Sequence, residues 1–276
     1  MTLPLALSAV TLLAVCLAGF GLLARLWPCN PGQRSFLSGS IATDLVYGAF
    51  GVLYAGLVPV GVALAVGLVA GPDTPRALVE VRAGYGWLVS LPLWLEVLLL
   101  LSATDFAQYW LHRLFHGRAL WGFHEIHHGV EEVNWTTAFR FHPVNYLLYS
   151  TSLAIAARLA GFSPVAFLLA APITFISAAI AHANLNWTFG PLRYVIASPV
   201  FHRWHHTDAP ATRERNFAPM FPIWDLLFGT FHMPAGERPS EYGVPGAPRG
   251  IPAQLWRPFR PWAAFLARRP MRGRTA

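Results

Sequence analysis

Long apolar runs separated by short polar breaks set the pattern of this chain. The first runs from Leu3 to Leu26, the second from Leu45 to Ala70, and the third from about Trp87 to Leu101. Each approaches the ~20 residues a helix needs to cross a hydrocarbon layer. The third passes without a turn signal into Thr104–His112, which places the histidine pair His112 and His116 on an extension of that helix. Two shorter apolar segments follow, Val144 to Ala160 and Phe162 to Ala181, parted by Gly161, Ser163 and Pro164. Those breakers predict a helical hairpin that enters and leaves the bilayer. From Asn184 onward no segment is long enough to span, and the Pro-, Gly- and Arg-rich residues 233–276 predict a loosely structured tail. The expected fold class is therefore all-α: an integral membrane helical bundle with about four spanning helices, or three plus a hairpin, under a cytosolic histidine-rich helical cap. Three regions follow: N-terminal transmembrane helices 1–101, a di-metal domain 102–232 that includes the hairpin 144–181, and the basic tail 233–276.

Composition sharpens this picture. Of 276 residues, 55% are hydrophobic and 12% charged, against about 25% charged in a soluble domain. The net charge is +7 with histidine neutral, and every one of the twenty basic residues is arginine. That bias fits a GC-rich coding sequence and predicts a bacterial source. The arginines flank apolar segments without an interleaved aromatic stripe, so anionic lipid headgroups are the expected partner and nucleic acid is not. Cys16 and Cys29 suggest neither a disulfide nor a thiolate metal site. Leu13-Ala14-Val15 before Cys16 loosely resembles a lipoprotein cleavage site. No positive residue precedes Arg25, however, and Val15 fits poorly, so residues 1–27 read as a retained transmembrane helix. With the N-terminus outside, the loops 27–44, 102–143 and 182–276 fall inside. Seventeen arginines then lie inside and only Arg76, Arg82 and Arg158 outside, as the positive-inside rule requires. All the histidine clusters fall on that same inner face, in a bacterial inner membrane with the site facing the cytoplasm.

Eight of eleven histidines form three clusters: His112-Arg-Leu-Phe-His116, His124-Glu-Ile-His127-His128 and His202-Arg-Trp-His205-His206. Residues three or four apart on a helix share one face, and neutral imidazole is the commonest protein metal ligand. A lone histidine in an apolar protein is usually a hydrogen-bonded core residue, but three clusters on one side of a membrane point to metal. So many ligands suggest two metals, and two metals suggest redox chemistry. Structural zinc favours cysteine and needs only four ligands. His124-Glu125-Ile126-His127-His128 mimics a zinc-protease signature, yet a protease does not require the other clusters. Neutral ligands leave divalent ions much of their positive charge, which suits attack on an unactivated C–H bond. Ligand type alone does not separate iron from manganese or zinc.

The order His-x-x-x-His, His-x-x-His-His, hydrophobic hairpin, His-x-x-His-His resembles the fatty acid hydroxylase / sterol desaturase superfamily of membrane di-iron oxygenases. The flanks are similar to that family too: Asp105-Phe106 through Tyr109-Trp110-Leu111-His112-Arg113, Leu120-Trp121-Gly122-Phe123-His124, Arg140-Phe141-His142-Pro143, Ser198-Pro199-Val200-Phe201-His202-Arg203, and Ile223-Trp224-Asp225-Leu226-Leu227-Phe228-Gly229-Thr230. The resemblance covers about residues 100–232. It implies that His112, His116, His124, His127, His128, His202, His205 and His206 bind two iron ions. His182, at the inner end of the hairpin, where the family usually supplies a further ligand, and His142, close to the second cluster, join them as candidate ligands; His232 reads as structural. Residues expected to orient the imidazoles are Asp105, two helical turns before His112, together with Asn184 and Asp208. Glu125, Glu131, Glu132, Asp225 and Asn134 are weaker candidates, since loop faces, turns and helix caps explain them equally well.

What the resemblance implies is a non-haem di-iron oxygenase that hydroxylates a C–H bond of a lipid (sterol-like, fatty acyl or carotenoid) with O2. Desaturation is the alternative outcome. No nucleotide-binding glycine motif and no haem or flavin signature appears, so electrons are expected from an external ferredoxin- or cytochrome-type carrier fed by NAD(P)H. Substrate would enter laterally, with Ala166 to Ile180 lining its channel. A non-redox metal transporter or sensor is the competing class; it calls for ionisable groups in mid-bilayer, and the apolar cores offer little beyond Glu96. For topology, a reporter fused after Ala276 is expected to read as cytosolic; a periplasmic signal would reverse the orientation.

Overall fold

The computed structural model describes residues 3–33, 40–209, 212 and 214–260. All regular structure among them is helical. Helix α1 spans Leu3–Leu26. Helices α2 (Ile41–Ala55) and α3 (Val58–Ala70) run on through Gly56 and Leu57, both of which keep right-handed helical angles. Helix α4 (Thr74–Ala83) folds back on α3, and α5 (Leu93–His116) returns along the molecule. Next come the short α6 (Trp121–His128), a 3-10 segment Trp135–Phe139, and α7 (Pro143–Tyr146), which passes through a π turn at Leu147–Thr151 into α8 (Ser152–Leu159). Helix α9 is Pro164–His182, followed by α10 (Pro199–His205), α11 (Ile223–Leu227) and α12 (Ile251–Trp256).

Close glycine contacts let the α2–α3 run and the α7–α8 run lie side by side. A Cβ on Gly51 would stand 2.8 Å from the Tyr146 ring, and one on Gly61 would stand 2.3 Å from Ile155 Cδ1. The α2–α3 run and the α7–α8 run therefore travel in the same direction in contact. They finish together at one end of the molecule. There Tyr85 N–H donates to Gly161 O at 3.0 Å, and Arg158 donates to the carbonyls of Val81 and Arg82. Gly161, at φ 105°, makes the turn into α9; no side chain fits there, because Tyr85 O would be 2.5 Å from a Cβ.

Glu96, read from sequence as an acid within a span, lies at this same end. Its carboxylate accepts from Ser163 N–H at 2.7 Å and Ser163 Oγ–H at 3.0 Å. It thus satisfies the start of α9, where backbone N–H groups have no partner within the helix. The nineteen residues of α9 cover about 28 Å at 1.5 Å per residue, close to one hydrocarbon thickness. His182 closes its opposite end. Arg82 and Arg158 are therefore separated from the histidines by the length of α9.

By length and composition, two stretches can cross a membrane: Ile41–Ser90, which contains α2 to α4, and Pro164–His182. Only 11% and 22% of their most apolar windows are buried inside the protein, whereas the core helix of a soluble domain is mostly covered. Leu13–Leu26 is a shorter apolar helix. Helix α5, expected as the third span, is not one of the two; it carries Glu96, Asp105, His112 and Arg113 along its length.

At the histidine end, polar pins replace apolar packing. Asp44 of α2 is fully buried; it accepts from the Arg140 guanidinium and, at 2.5 Å, from Thr136 Oγ–H. The ring of Phe20 stacks on Trp135 at 5.1 Å, which brings α1 against the same segment.

Residues 233–260 differ from the expected loose tail, while 261–276 lie outside the described residues. Gln254 Oε1 accepts from Tyr47 O–H at 3.0 Å, Arg257 pairs with Glu125 at 3.0 Å, and Phe259 packs edge-on to Phe123 at 5.3 Å. Composition suggested looseness because prolines and glycines dominate the segment. A few spaced anchors suffice to dock it, and those leave no compositional trace. Asp44→Ala is expected to cost about 3–5 kcal/mol, because it strands the buried Arg140 charge. Thermal unfolding in detergent should show that loss, with partial recovery in Asp44→Ala/Arg140→Met; unchanged stability of the single variant would contradict it.

Candidate metal centre

Four helices bring the histidines together, each for a local reason. His112 and His116 are one turn apart on the last turns of α5. Helix α6 contributes His124, His127 and His128. Helix α9 ends on His182. Helix α10 begins at Ser198-Pro199, with Ser198 Oγ accepting from Phe201 N–H at 3.1 Å, a side-chain cap followed by proline at the first helical position. It delivers His202 and His205, and His206 follows at its end.

Nine rings converge in two groups. His112, His116, His124, His128 and His205 form one, and His127, His182, His202 and His206 the other; within each, one ligand nitrogen per ring lies within 4.8 Å of the rest. The groups adjoin. The rings of His128 and His206 are 4.7 Å apart, and those of His124 and His127 5.1 Å.

Hydrogen bonds settle which nitrogens are bare. His112 Nδ1 faces Phe217 O at 2.7 Å, and His124 Nδ1 faces Asn145 Oδ1 at 2.9 Å. Each of these oxygens accepts, so each Nδ1 carries the ring's proton and each Nε2 presents a lone pair. Yet the two Nε2 atoms stand 3.0 Å apart. His182 Nδ1–H donates to Ala178 O at 2.8 Å, so its Nε2 is bare; it faces His202 Nε2 at 3.0 Å and His127 Nε2 at 3.3 Å, two rings whose buried Nδ1 atoms have no protein partner. His205 Nδ1–H donates to Arg215 O at 2.8 Å, and its buried Nε2 has no protein partner. Buried Nε2 of His128 and both ring nitrogens of His206 likewise lack one. The lone pairs of His112 and His124, aimed at one another in a buried site, favour a cation between them. Burial, and then the neighbouring rings, push His124, His127, His128, His202 and His206 well below the ordinary imidazole range; burial does the same to His205. The rings are thus neutral, the form that ligates. Both groups fit a transition metal on donor type, count and protonation.

Not every expected site residue joins. His142 lies outside both groups: its Nδ1 accepts from Val144 N–H at 3.1 Å, capping α7, and its Nε2–H faces Leu255 O at 3.2 Å. Both ring nitrogens are committed to the scaffold. Asp105 touches no imidazole; it accepts from Met220 N–H, Phe221 N–H and Trp224 Nε1–H at 2.8–3.0 Å. Asn184 exchanges hydrogen bonds with the Asn30 backbone at 2.9 and 3.1 Å. Asp208 shares with His116, Arg118, Trp121, Glu214 and Val244 a crevice of about 390 Å³. Of the weaker candidates, Asp225 accepts from Phe217 N–H at 2.8 Å and Ala218 N–H at 2.9 Å. It therefore fixes the loop whose carbonyl receives His112. Glu125 pairs with Arg257, Glu131 sits in an exposed pair with Arg249 at 3.6 Å, and Asn134 caps the 3-10 segment. His232 stacks edge-on to Trp204 at 5.2 Å, away from both groups.

The ring orienters are mostly backbone carbonyls, which carry no sequence signal. Asn145 is the exception; it lies three residues past His142, near the start of a mainly apolar segment. Arg203 is a second omission. Fully buried, it donates to Val133 O at 2.7 Å, His182 O at 3.3 Å, Gln33 Oε1 and the Tyr242 phenolic oxygen at 3.1 Å, and Asn30 Oδ1. It locks the ends of α9 and α10 to the N-terminal segment.

Comparison with known proteins agrees with this geometry. Residues 97–230 match the fatty acid hydroxylase family, a stretch that holds all nine converging histidines. Ornithine lipid hydroxylase OlsE of Rhizobium tropici is 33% identical over 175 residues, 63% of this chain and 53% of that protein. Alkylglycerol monooxygenase of Caenorhabditis elegans is 35% identical over 143 residues, 51% of this chain and 28% of that protein. The Homo sapiens alkylglycerol monooxygenase is 30% identical over 169 residues, 59% and 37% respectively. The chain thus spans about half or less of the length of these relatives. No solved structure matches. Histidine spacing, the paired imidazole groups and the matched segment agree: through residues 97–230, the chain belongs to the fatty acid hydroxylase family.

Proposed function

We propose that this protein is a membrane-bound non-haem di-iron oxygenase that hydroxylates a C–H bond of a lipid. The observation that carries the reading is the pair of adjoining imidazole groups, five and four rings, with His112 and His124 turning bare nitrogens to each other in the first. Two iron ions held there would supply the reduction of O2 and the oxidation of an unactivated C–H bond. The overall reaction takes R–H, O2, two electrons and two protons to R–OH and water. The relatives' names, hydroxylase and monooxygenase, favour hydroxylation over desaturation.

The chain's own residues orient and shelter. Phe217 O, Asn145 Oδ1, Ala178 O and Arg215 O hold four rings at fixed tautomers; removing such partners commonly costs 10–100-fold in metal affinity or activity. Apolar helices on the membrane side keep bulk water from the reacting carbon and admit the chain of a lipid. The crevice beside His116 and Asp208 gives protons and electrons a polar approach. The electron donor is a separate ferredoxin- or cytochrome-type protein, and the metal centre faces the cytoplasm of a bacterial inner membrane.

Lipid extracts from cells with and without the gene, compared by mass spectrometry, are expected to differ by species one oxygen heavier in the expressing cells. No oxygenated product under aerobic, iron-replete growth would reject the reading. Purified protein is expected to carry about two iron ions per chain. His205→Ala should remain membrane-inserted, lose about half of that iron or more, and lose turnover by at least the 10–100-fold that orienting partners are worth. Full iron and full turnover in that variant would remove His205 from the ligand set.

A further inference from the structure

The region after α9 has no spanning helix, yet two of its short elements turn apolar side chains outward. Leu192, Val195 and Ile196, in and after the 3-10 turn Gly190–Tyr194, are 59%, 54% and 42% exposed; Leu227 of α11 is 64% exposed, and Ile223 and Phe228 about as exposed as Ile196. The two elements are joined, since Ala197 N–H donates to Met220 O at 2.8 Å and the Tyr194 ring packs on Phe231 at 5.4 Å. The patch continues onto α5. Phe106 meets Trp224, and Trp110 meets Phe228, both at 4.8 Å. Phe106, Trp110 and Leu114 form an outward stripe at four-residue spacing.

Charge and depth identify what covers this surface. Its rim is basic: Arg193 lies over the Tyr194 ring at 4.9 Å, Arg113 over Trp110 at 5.2 Å, and Arg215 donates to Gly229 O at 2.9 Å. The one acid in α11, Asp225, is fully buried and turned to the Phe217 and Ala218 backbone. The patch meets α5 at Phe106 and Trp110, ten and fourteen residues past Glu96 on the same helix, and so lies roughly 15–21 Å from the end marked by Glu96 and Ser163, toward the histidines. Exposed tryptophans stand at both levels: Trp87 and Trp94 (65% and 68%) near Glu96, Trp27 and Trp110 (50% and 39%) near the histidines. Such paired belts mark the two membrane–water interfaces.

We propose that α11 and the 190–196 turn bed in the interfacial layer of an anionic bilayer, on the metal-centre side, with Arg113, Arg193 and Arg215 at the phosphates. The inference rests on the membrane reading given above. An apolar face with a basic rim binds an anionic interface by burial and charge together. A protein partner would also have to cover the lipid-level stripe of α5.

Nitroxide labelling of the full chain tests this, in a Cys16→Ala/Cys29→Ala background reconstituted into vesicles of phosphatidylglycerol and phosphatidylcholine. Leu227→Cys and Leu192→Cys are the probes. Leu168→Cys on α9, 72% exposed, is the lipid reference, and Arg249→Cys, with a side chain 93% exposed, the aqueous one. Labels at 227 and 192 are expected to collide more with dissolved oxygen than with a water-soluble nickel chelate, at a depth between the references, and to shift toward the chelate in pure phosphatidylcholine. Chelate-dominated relaxation at 227 with oxygen-dominated relaxation at 168 overturns this inference and leaves the membrane reading standing; chelate-dominated relaxation at 168 overturns both. Dipolar broadening at 227 that disappears on dilution with unlabelled protein identifies a second copy as the occupant and also overturns it. No response to lipid charge rejects the phosphate contacts.

Discussion

Imidazole nitrogens that face each other without a proton between them are the constraint on which the structure turns. His112 and His124 approach to 3.0 Å, and the outer nitrogens of both already donate elsewhere. Neutral rings so placed repel through their lone pairs and have been removed from water. Such an arrangement is unfavourable as a hydrogen-bonded core and favourable around cations. The rest of the cap can be understood as the framework that holds the rings in this otherwise unfavourable geometry.

That framework works through backbone rather than through side chains on the rings. Asp225 grips the Phe217 and Ala218 N–H groups, and the Phe217 carbonyl then holds His112. Asp105 grips Met220, Phe221 and Trp224 and so ties that same loop to α5. Arg203 gathers the His182 and Val133 carbonyls with Asn30, Gln33 and Tyr242. Each of these buried charges is matched by several hydrogen bonds, the condition under which burial is tolerated. A candidate ligand set drawn from four helices can then stay rigid.

The same facts explain what could be read from the sequence and what could not. The clusters at 112–116, 124–128 and 202–206 were legible, because helical periodicity alone puts such residues on one face. The hairpin was legible from Gly161, Ser163 and Pro164. His142 was misplaced, because proximity to a cluster in sequence says nothing of where a ring points: Pro143 opens α7, and His142 becomes its cap. Asp105 was selected for standing on the His112 face, yet its partners come from a loop more than a hundred residues later. Backbone acceptors such as Phe217 O and Arg215 O are invisible in principle, since any residue supplies a carbonyl. Docking of residues 239–259 was hidden by proline and glycine content, which reports chain stiffness and turns and not the contacts made by Tyr242, Gln254 and Arg257.

The placement of acids bears on the chemistry. Asp44, Asp105, Glu125 and Asp225 are all buried near the rings, and their recorded partners are backbone N–H groups, hydroxyls, an indole or arginines, with no imidazole among them. A carboxylate in the ligand set would neutralise part of the charge of a divalent ion; nine neutral rings do not. Directing the acids onto the scaffold therefore does two things at once. It supplies the hydrogen bonds that keep a dense, water-poor cluster from rearranging, and it leaves ions held there strongly electron-withdrawing. On the proposed reading, that second property suits oxidation of an unactivated C–H bond.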